Sequence, residues 1–294
     1  MPERTDPFDA LRRPIAAARP RPLFAAELER RLREELDMPV TDDLDTHDQT
    51  ADPTRHGELM LVHLKVGDAD RAMRFFGEAF GWVGERYVDD HVSHYILNSG
   101  VTVRLIDDPA AAPVRPNYAV RDVAAAVRAI EANGGHVTDS EVGPDGGGWA
   151  FADDAAGLPL LVFRRSPREH PTTDTVARAD VALVFMTEGA SDATRFYGSV
   201  LGWDLTAPHP GGTYYDAVEH VGLFDVNAEL GTDHAPTIDV YFGVEALRPI
   251  VDRVEALGGH VDPVPEEPNM GPYFSVMCTD DQGTAFGITS TARG

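Results

Sequence analysis

The sequence has little of several things that large classes of protein require. Its 294 residues include one cysteine, Cys278, which excludes an internal disulfide framework and a thiolate metal cluster. No apolar run approaches the ~18 residues of a membrane-spanning helix. The opening residues, MPERTDPFDALRRP, carry charges where a secretory signal has an apolar stretch. We therefore expect a cytoplasmic protein whose single thiol is buried and inert.

Positive charge is also scarce. Lys and Arg number 25 against 49 Asp and Glu, which gives a formal net charge of −24, and Lys65 is the single lysine. A field of this sign repels phosphate backbones and anionic membranes. We expect a small molecule as the partner, rather than nucleic acid or a membrane, and a chain that is a monomer or a homodimer.

What the sequence does have is an internal repeat. Residues 72–77 (AMRFFG) return as residues 193–198 (ATRFYG), at an offset of 121. Residues 127–137 (VRAIEANGGHV) return as residues 251–261 (VDRVEALGGHV), at an offset of 124. Self-similarity over this length predicts two homologous modules in one chain.

The repeat sets the domain boundaries that we predict. Module one covers residues 59–166 and module two covers residues 179–291, with a Pro- and Thr-rich linker at 166–178. Residues 1–58 form an N-terminal helical extension and an acidic linker. Within it, residues 23–36 carry an apolar residue at every fourth position, which predicts a helix that docks on its own domain or on a partner.

Each module divides again into two similar units. A short apolar strand leads into an amphipathic helix, and shorter strands follow, which predicts a βαβββ unit used four times. The Gly-Gly pairs at 134–135 and 258–259 predict helix ends made by a left-handed cap. The predicted unit-opening strands are Leu59–Val66, Pro116–Val120, Val181–Met186 and Thr237–Phe242.

Tandem βαβββ units with two further signatures resemble the vicinal oxygen chelate superfamily, which includes glyoxalase I, extradiol dioxygenases and bleomycin-resistance proteins. The signatures are a helix end of the form F-[FY]-G-x-x-[FL]-G-W and a D-D-x-x-G turn before the last strand. The resemblance covers both modules. It implies an α+β fold in which four βαβββ units form two tandem glyoxalase-like modules with cup-shaped mixed sheets. Each cup is then a candidate site.

The metal-binding members of that superfamily place His, Gln or Glu at one inward position on the first and last strand of each unit. Aligned from the aspartate that starts the helix, these positions fall on Leu61, Arg104, Arg115 and Leu161 in module one, and on Ala182, a residue near Gly222, Asp239 and Gly287 in module two. A guanidinium group only donates hydrogen bonds and repels a cation. These departures from the family pattern predict modules without a metal and without a cofactor.

The cup of module one is predicted to bind an anion. If Arg104 and Arg115 face one cavity, they can hold a carboxylate or phosphate through bidentate hydrogen bonds; the alternative is that they lie at the rim, paired with acidic side chains. His63 shares the inward face of Leu61, as a hydrogen-bonding residue or a displaced ligand. Around them we expect an orienting amide and two apolar walls, from Asn117, Trp149 and Phe163.

The cup of module two differs in character. Asp239 and Tyr241 are predicted to share the inward face of the strand that opens its second unit. A carboxylate beside an aromatic ring suits a cationic or hydroxylated aromatic ligand, and the alternative is a solvent-facing strand end. Tyr214 and Tyr215 point to opposite faces, so one of them, which we take to be Tyr215, looks into the cup.

These observations favour metal-independent binding or sequestration of a small molecule, either an antibiotic or a pathway intermediate. The alternative is an enzyme of the same superfamily, acting as a lyase, isomerase or dioxygenase. It would be metal-dependent through unaligned residues, or would use His63 as general base with Arg104 stabilising an enolate or carboxylate. A third hypothesis, a structural or interaction module, rests on the predicted helix at 23–36.

Overall fold

The computed structural model describes most of both predicted modules. The described residues are 56–88, 90–96, 101–164, 181–187, 190–204, 214–218, 221–225, 235–270 and 273–294, with backbone alone for 187, 190, 191, 214–218 and 221–225. The predicted N-terminal extension with its helix at 23–36, and the predicted linker at 166–178, lie outside the described residues apart from the last residues of the extension.

The elements repeat the predicted order of strand, helix and strands. In module one they are β1 (Glu58–Lys65), α1 (Ala69–Phe80), β2 (Gly84–Val88), β3 (Val92–Ile96), β4 (Thr102–Ile106), β5 (Val114–Ala119), α2 (Val123–Ala132), β6 (His136–Val142), β7 (Gly148–Asp153) and β8 (Pro159–Phe163). In module two they are β9 (Val181–Thr187), α3 (Ala190–Leu201), β10 (Tyr214–Val218), β11 (Val221–Asp225), β12 (Thr237–Gly243), α4 (Leu247–Ala256), β13 (His260–Val261), β14 (Phe274–Thr279) and β15 (Ala285–Ser290). The predicted α+β class is confirmed.

Each module contributes one mixed sheet. The strand order is β2-β3-β4-β1-β5-β8-β7-β6 in the first sheet and β10-β11-β9-β12-β15-β14-β13 in the second. In both sheets the opening strands of the two units lie side by side and antiparallel, as β1 with β5 and β9 with β12. The positions that repeat β2 at the offset of 121, residues 205–209, lie outside the described residues. The central pairing places the inward positions of two units next to each other.

Helix α1 shows how the sequence signals act locally. Asp68 caps its start by accepting a hydrogen bond of 2.8 Å from the backbone N–H of Arg71. Gly81 ends it in the left-handed region, at φ 73°, and its N–H bonds the Gly77 carbonyl. One face of the helix is buried, by Ala72, Phe75, Phe76 and Ala79. Within the described residues, no helix has the length and apolar character needed to cross a membrane.

The Gly-Gly pairs combine two backbone requirements. Gly134 has φ 87° after α2, and Gly258 has the same φ after α4, so the predicted left-handed caps are confirmed. The second glycine of each pair lies against a neighbouring strand: a Cβ at Gly135 would stand 2.7 Å from the Asp153 carbonyl oxygen. A glycine is therefore needed at both positions, the first for conformation and the second for space.

The helices of both modules contribute to one shared core. Phe76 of α1 packs edge-on against Phe286 of β15, with ring centroids 5.2 Å apart. Trp203, at the end of α3, meets Tyr118 of β5 at 5.4 Å and donates a hydrogen bond of 3.0 Å to the Gly57 carbonyl. A single cluster of buried apolar side chains spans both modules. The face of each sheet that is opposite the helices is therefore the cup, and it points away from this core.

Candidate functional site

Alternation along β1 decides which side chains line the first cup. Val62 and Leu64 are buried at 0% and 1% exposure against the helices. Leu61 and His63 therefore point to the other face of the sheet, and both are only partly buried. His63 thus lies on the predicted inward face, beside the position that corresponds to a metal ligand in the superfamily.

Three basic side chains form a row across the first sheet. His63 is the cross-strand neighbour of Arg104 in β4 and of Arg115 in β5. Residues directly opposite one another on neighbouring strands point to the same face, so both guanidinium groups lie on the cup face. The structure brings together the two arginines that the sequence predicts, with an imidazole between them.

Each guanidinium group is positioned by an aromatic ring. The Cζ of Arg104 lies 5.1 Å from the centre of the Tyr95 ring, and its Nη2 donates a 3.2 Å hydrogen bond to Ser93 Oγ. The Cζ of Arg115 lies 4.7 Å from the centre of the Phe151 ring. Stacking of this kind stabilises the cation and fixes the plane of the guanidinium group. Tyr95 and Phe151 are absent from the sequence-based prediction.

The charge state of the row follows from burial and proximity. Burial, and then the positive charges of Arg104 and Arg115, lower the pKa of His63 to about 3. The imidazole is therefore neutral at pH 7. Burial also lowers the pKa of Arg115, although the carboxylates of Asp153 and Asp108 oppose that shift. The cup therefore presents two guanidinium cations, with a neutral imidazole between them.

Asn117, two residues after Arg115 on β5, forms a hydrogen bond with His63. Its Nδ2 lies 3.2 Å from His63 Nε2, so when the amide donates, the imidazole proton is on Nδ1. Asn117 is only 2% exposed, and its Oδ1 is buried without a hydrogen-bond partner among the described residues. The predicted orienting amide therefore acts on the histidine side chain in this structure.

An apolar surface adjoins the basic row in the first cup. Asn117 is the cross-strand neighbour of Leu161, and Leu161 is the neighbour of Phe151. One step further along the strands, Phe163 lies opposite Trp149. The two predicted wall residues thus lie side by side on the cup face, and Trp149 packs against Phe151 with ring centroids 5.1 Å apart. The row of basic side chains therefore lies next to a surface of aromatic and aliphatic side chains.

The side chains of the first cup do not fit a divalent metal ion. Leu61 and Leu161 offer aliphatic carbons, and Arg104 and Arg115 offer cations that cannot coordinate. In the part of the chain that the structure describes, no three His, Cys, Asp or Glu side chains gather where they could hold a metal. The donors present in this cup therefore favour an anionic ligand over a cation.

The second cup carries a carboxylate at the matching place. Asp239 is the cross-strand neighbour of Val184, and Tyr241 is the neighbour of both Ala182 and Gly287. Burial raises the pKa of Asp239, and burial followed by the nearby carboxylate of Asp239 raises the pKa of Tyr241 to about 12. The Tyr241 ring lies so close to Gly287 that any Cβ there would overlap it. The backbone of Tyr215 lies in β10, opposite Leu223, and its side chain lies outside the described residues.

His94 and the cysteine, Cys278, lie on the helix side of their sheets, away from the cups. His94 points to the helix side of β3, where its Nε2 lies 2.6 Å from Asp70 Oδ1 and its Nδ1 is buried without a partner among the described residues. His136 and His260 are exposed at helix-to-strand turns. Burial raises the pKa of the Cys278 thiol to about 12, so at pH 7 it stays protonated and is a poor nucleophile.

The architecture places the chain in a class of known proteins. Two cup-shaped mixed sheets built from βαβββ units are the fold of the vicinal oxygen chelate superfamily, and the resemblance inferred from the sequence is confirmed. More particularly, residues 61–163 match the family model of the glyoxalase-like domain. No curated protein sequence matches the chain.

Solved structures share this fold at low sequence identity. The Mn(II)-bound glyoxalase from Novosphingobium aromaticivorans is 16% identical, with a TM-score of 0.56 over 82% of this chain and 84% of that one. A catechol 2,3-dioxygenase is 14% identical, with a TM-score of 0.56 over 82% and 90%. A variant of homoprotocatechuate 2,3-dioxygenase from B. fuscum is 17% identical, with a TM-score of 0.55 over 81% and 73%. These likenesses concern the fold.

Proposed function

We propose that the first cup binds an amphiphilic organic anion without a metal. The observation that carries this proposal is the row of Arg104, His63 and Arg115 on one face of the sheet, next to an apolar surface. The guanidinium groups recognise a carboxylate or phosphate through parallel N–H donors. A site with few polar anchors and aromatic walls is typical of small-molecule binding.

Electrostatics favours an anion over a neutral ligand. Arg115 is half-buried, and burial disfavours its charge. A bound anion supplies counter-charge and accepts hydrogen bonds from the guanidinium groups. The apolar part of the ligand would lie against Leu161, Phe163 and Trp149. We propose that the protein sequesters such a molecule, an antibiotic or a pathway intermediate, in the cytoplasm.

For the second cup we propose a separate ligand of opposite charge. Asp239 occupies the repeat position of Arg115, and Tyr241 that of Asn117, at the offset of 124. Among the described side chains none forms a hydrogen bond or an ion pair with Asp239, so a cationic or hydroxylated aromatic ligand would supply its partner. We propose that Tyr215 contributes to this cup.

An enzyme of the same fold is the second candidate. The solved structures with this fold carry the names of a glyoxalase and of dioxygenases, and they favour an enzyme at least as strongly as the cup favours binding. Within the first cup, His63 would take a proton from the ligand and Arg104 would stabilise the resulting enolate or carboxylate. Loss of turnover in His63→Ala with binding retained would identify this function.

The binding function is tested with a matched pair of probes. The anion 2-naphthalenesulfonate and its neutral analogue 2-naphthalenemethanol are titrated by calorimetry into protein treated with a chelator. We expect the anion to bind and the neutral analogue to bind at least tenfold more weakly. Arg104→Gln and Arg115→Gln each remove a charge-assisted hydrogen bond of about 1.5–3 kcal/mol, so each weakens anion binding roughly 10- to 100-fold.

The control for charge is Arg128→Gln, which removes an arginine from the exposed side of α2 and is expected to leave anion affinity unchanged. Equal affinity for the anion and the neutral analogue would overturn the proposal. So would near-stoichiometric Zn, Fe, Ni or Mn in the purified protein, bound in a manner that Arg104→Gln alters.

A further inference from the structure

His63 occupies an unusual place for an ionisable group. Its neighbours on both adjacent strands are arginines, Arg104 on β4 and Arg115 on β5, and adjacent strands are only ~4.8 Å apart. Its hydrogen-bond partner is an uncharged amide, that of Asn117. Within the described residues, no carboxylate hydrogen-bonds to the imidazole. A proton on His63 would therefore add a third positive charge to the row.

The charged groups around the imidazole come from several elements. On its own strand the nearest is Lys65, two positions along on the same face. The flanking strands supply Arg104 and Arg115, and the rings of Tyr95 and Phe151 lie behind those cations. Two carboxylates, Asp153 and Asp108, are close enough to act on Arg115. Positive charge thus outweighs negative charge around His63 in the open cup, and the imidazole is neutral there.

An anion in the cup reverses this balance. Placed between the two guanidinium groups, it offsets their field at the imidazole and attracts a proton to it. We propose that anion binding in the first cup is coupled to the uptake of a proton by His63, whose imidazolium then becomes the third cationic partner of the ligand. This inference rests on the proposed anion-binding function and deepens it.

Linkage fixes the direction of the effect. If the anion favours the protonated imidazole, protonation favours the bound anion by the same factor. Affinity therefore rises as the pH falls through the pKa of His63 in the complex toward its lower pKa in the open cup, by at most tenfold per pH unit for one proton. Above that range the imidazole is neutral in both states, and the affinity is independent of the charge on His63. The cup would hold its ligand more tightly under acidic conditions and release it as the pH rises.

The experiment uses the full chain and 2-naphthalenesulfonate, whose sulfonate stays ionised throughout. Calorimetric titrations between pH 8 and pH 4.5, at about 0.15 M salt to screen distant charges, give the dissociation constant. Repeating them in two buffers of different ionisation enthalpy gives the number of protons taken up. We expect affinity to rise several-fold or more as the pH falls, with proton uptake approaching one. Imidazole NMR of the unmodified protein should show His63 protonating at a higher pH when the probe is bound.

Two variants test whether His63 is the group that takes up the proton. His63→Gln should bind the probe with an affinity that does not rise at lower pH beyond the residual effect of net charge. His136→Gln removes an exposed histidine on β6 and should keep the full pH dependence. If His63→Gln does not fold, the NMR titration of the unmodified protein decides the question.

The outcomes separate the two proposals. Probe binding whose affinity is flat with pH, or whose pH dependence survives in His63→Gln, overturns the coupling and leaves the anion-binding function intact. An unchanged His63 titration in the NMR experiment, with the probe bound, does the same. Absence of probe binding at every pH overturns the anion-binding function, and the coupling falls with it.

Discussion

The hydroxyl of Tyr197 in α3 donates a hydrogen bond of 2.9 Å to Asp154 Oδ2, and so joins module two to module one. The other carboxylate oxygen of Asp154 accepts backbone N–H bonds of 2.8 Å from Ala156 and Leu158 within the D-D-x-x-G turn. Burial raises the pKa of Asp154, and these three donors oppose the shift. Tyr197 therefore supplies, from the other module, one of three hydrogen bonds that stabilise the buried carboxylate of Asp154.

The first prediction concerns the hydroxyl itself. Tyr197→Phe removes one donor and leaves Asp154 Oδ2 buried without its partner. We expect the free energy of unfolding to fall by about 1–3 kcal/mol, measured by urea denaturation. Tyr273→Phe, at a tyrosine that is 44% exposed, is the matched control and should cost little. Equal stability of the two variants would contradict the role given to this bond.

The second prediction uses the repeat. Asp280 matches Asp154: it caps the equivalent turn through Oδ1, which accepts from the N–H groups of Gln282 and Thr284. Its Oδ2 is buried without a partner among the described residues. The repeat position of Tyr197 is Phe76. We expect Phe76→Tyr to supply the missing donor and to raise the free energy of unfolding by about 1 kcal/mol.

That gain is measured in the same urea assay, and a double variant isolates its origin. Combined with Asp280→Asn, the new hydroxyl should lose most of its benefit, because an interaction between neighbours is not additive. If Phe76→Tyr instead lowers stability in both backgrounds, the added hydroxyl oxygen does not fit beside residue 76. The turns at Asp154 and Asp280 would then not be equivalent.

The third prediction tests the packing of Tyr241. A methyl group at Gly287 would overlap the Tyr241 ring, so we expect Gly287→Ala to displace the ring and to lower stability by about 1–3 kcal/mol. In a Tyr241→Ala background the same substitution should cost much less, because the clash is gone. An equal cost in both backgrounds, measured by thermal unfolding, would show that the strain lies elsewhere.

The fourth prediction is a pH dependence of stability. His63 has a pKa of about 3 in the folded protein, below the ~6.5 of an unfolded chain. Between these values the unfolded chain binds a proton at His63 that the folded protein does not bind. The free energy of unfolding therefore falls as the pH drops from about 6.5 to 3, by at most ~1.4 kcal/mol per pH unit from this group.

Urea denaturation at pH 7, 6, 5 and 4 measures that slope. His63→Gln should flatten it, and His136→Gln, at an exposed histidine, should leave it as it is. The assignment of a neutral, partly buried imidazole to the first cup would be wrong if His63→Gln kept the parental slope.

The fifth prediction concerns the second cup. We expect benzyltrimethylammonium to bind there and its neutral analogue, neopentylbenzene, to bind more weakly. Asp239→Asn keeps the shape of the side chain and removes its charge, so it should weaken cation binding about tenfold or more. Asp262→Asn, at a residue with an exposed side chain, is the control. Binding that is the same in all three proteins would exclude Asp239 as the anchor.

Much of the fold and of the first cup is predictable, because the alternation of side chains along a strand and the internal repeat can both be read from the sequence. Alternation alone places His63 and Arg104 on the cup face. The aromatic partners Tyr95 and Phe151 could not be assigned, because cross-strand register between β3 and β4, or between β7 and β8, depends on pairing that the sequence does not encode locally. The Tyr197–Asp154 hydrogen bond joins separate modules. The one sequence feature that indicates it is that Tyr197 stands where the other repeat has Phe76.

The division of each sheet into a core face and a cup face has a consequence for how such a chain diverges after duplication. Val62 corresponds to Leu183 on the core side, and both are fully buried. One residue further on, His63 corresponds to Val184, and across the strand Arg115 corresponds to Asp239. Selection for folding constrains alternate residues and leaves those between them open to change. A duplicated scaffold of this kind can acquire a second specificity without surrendering the first.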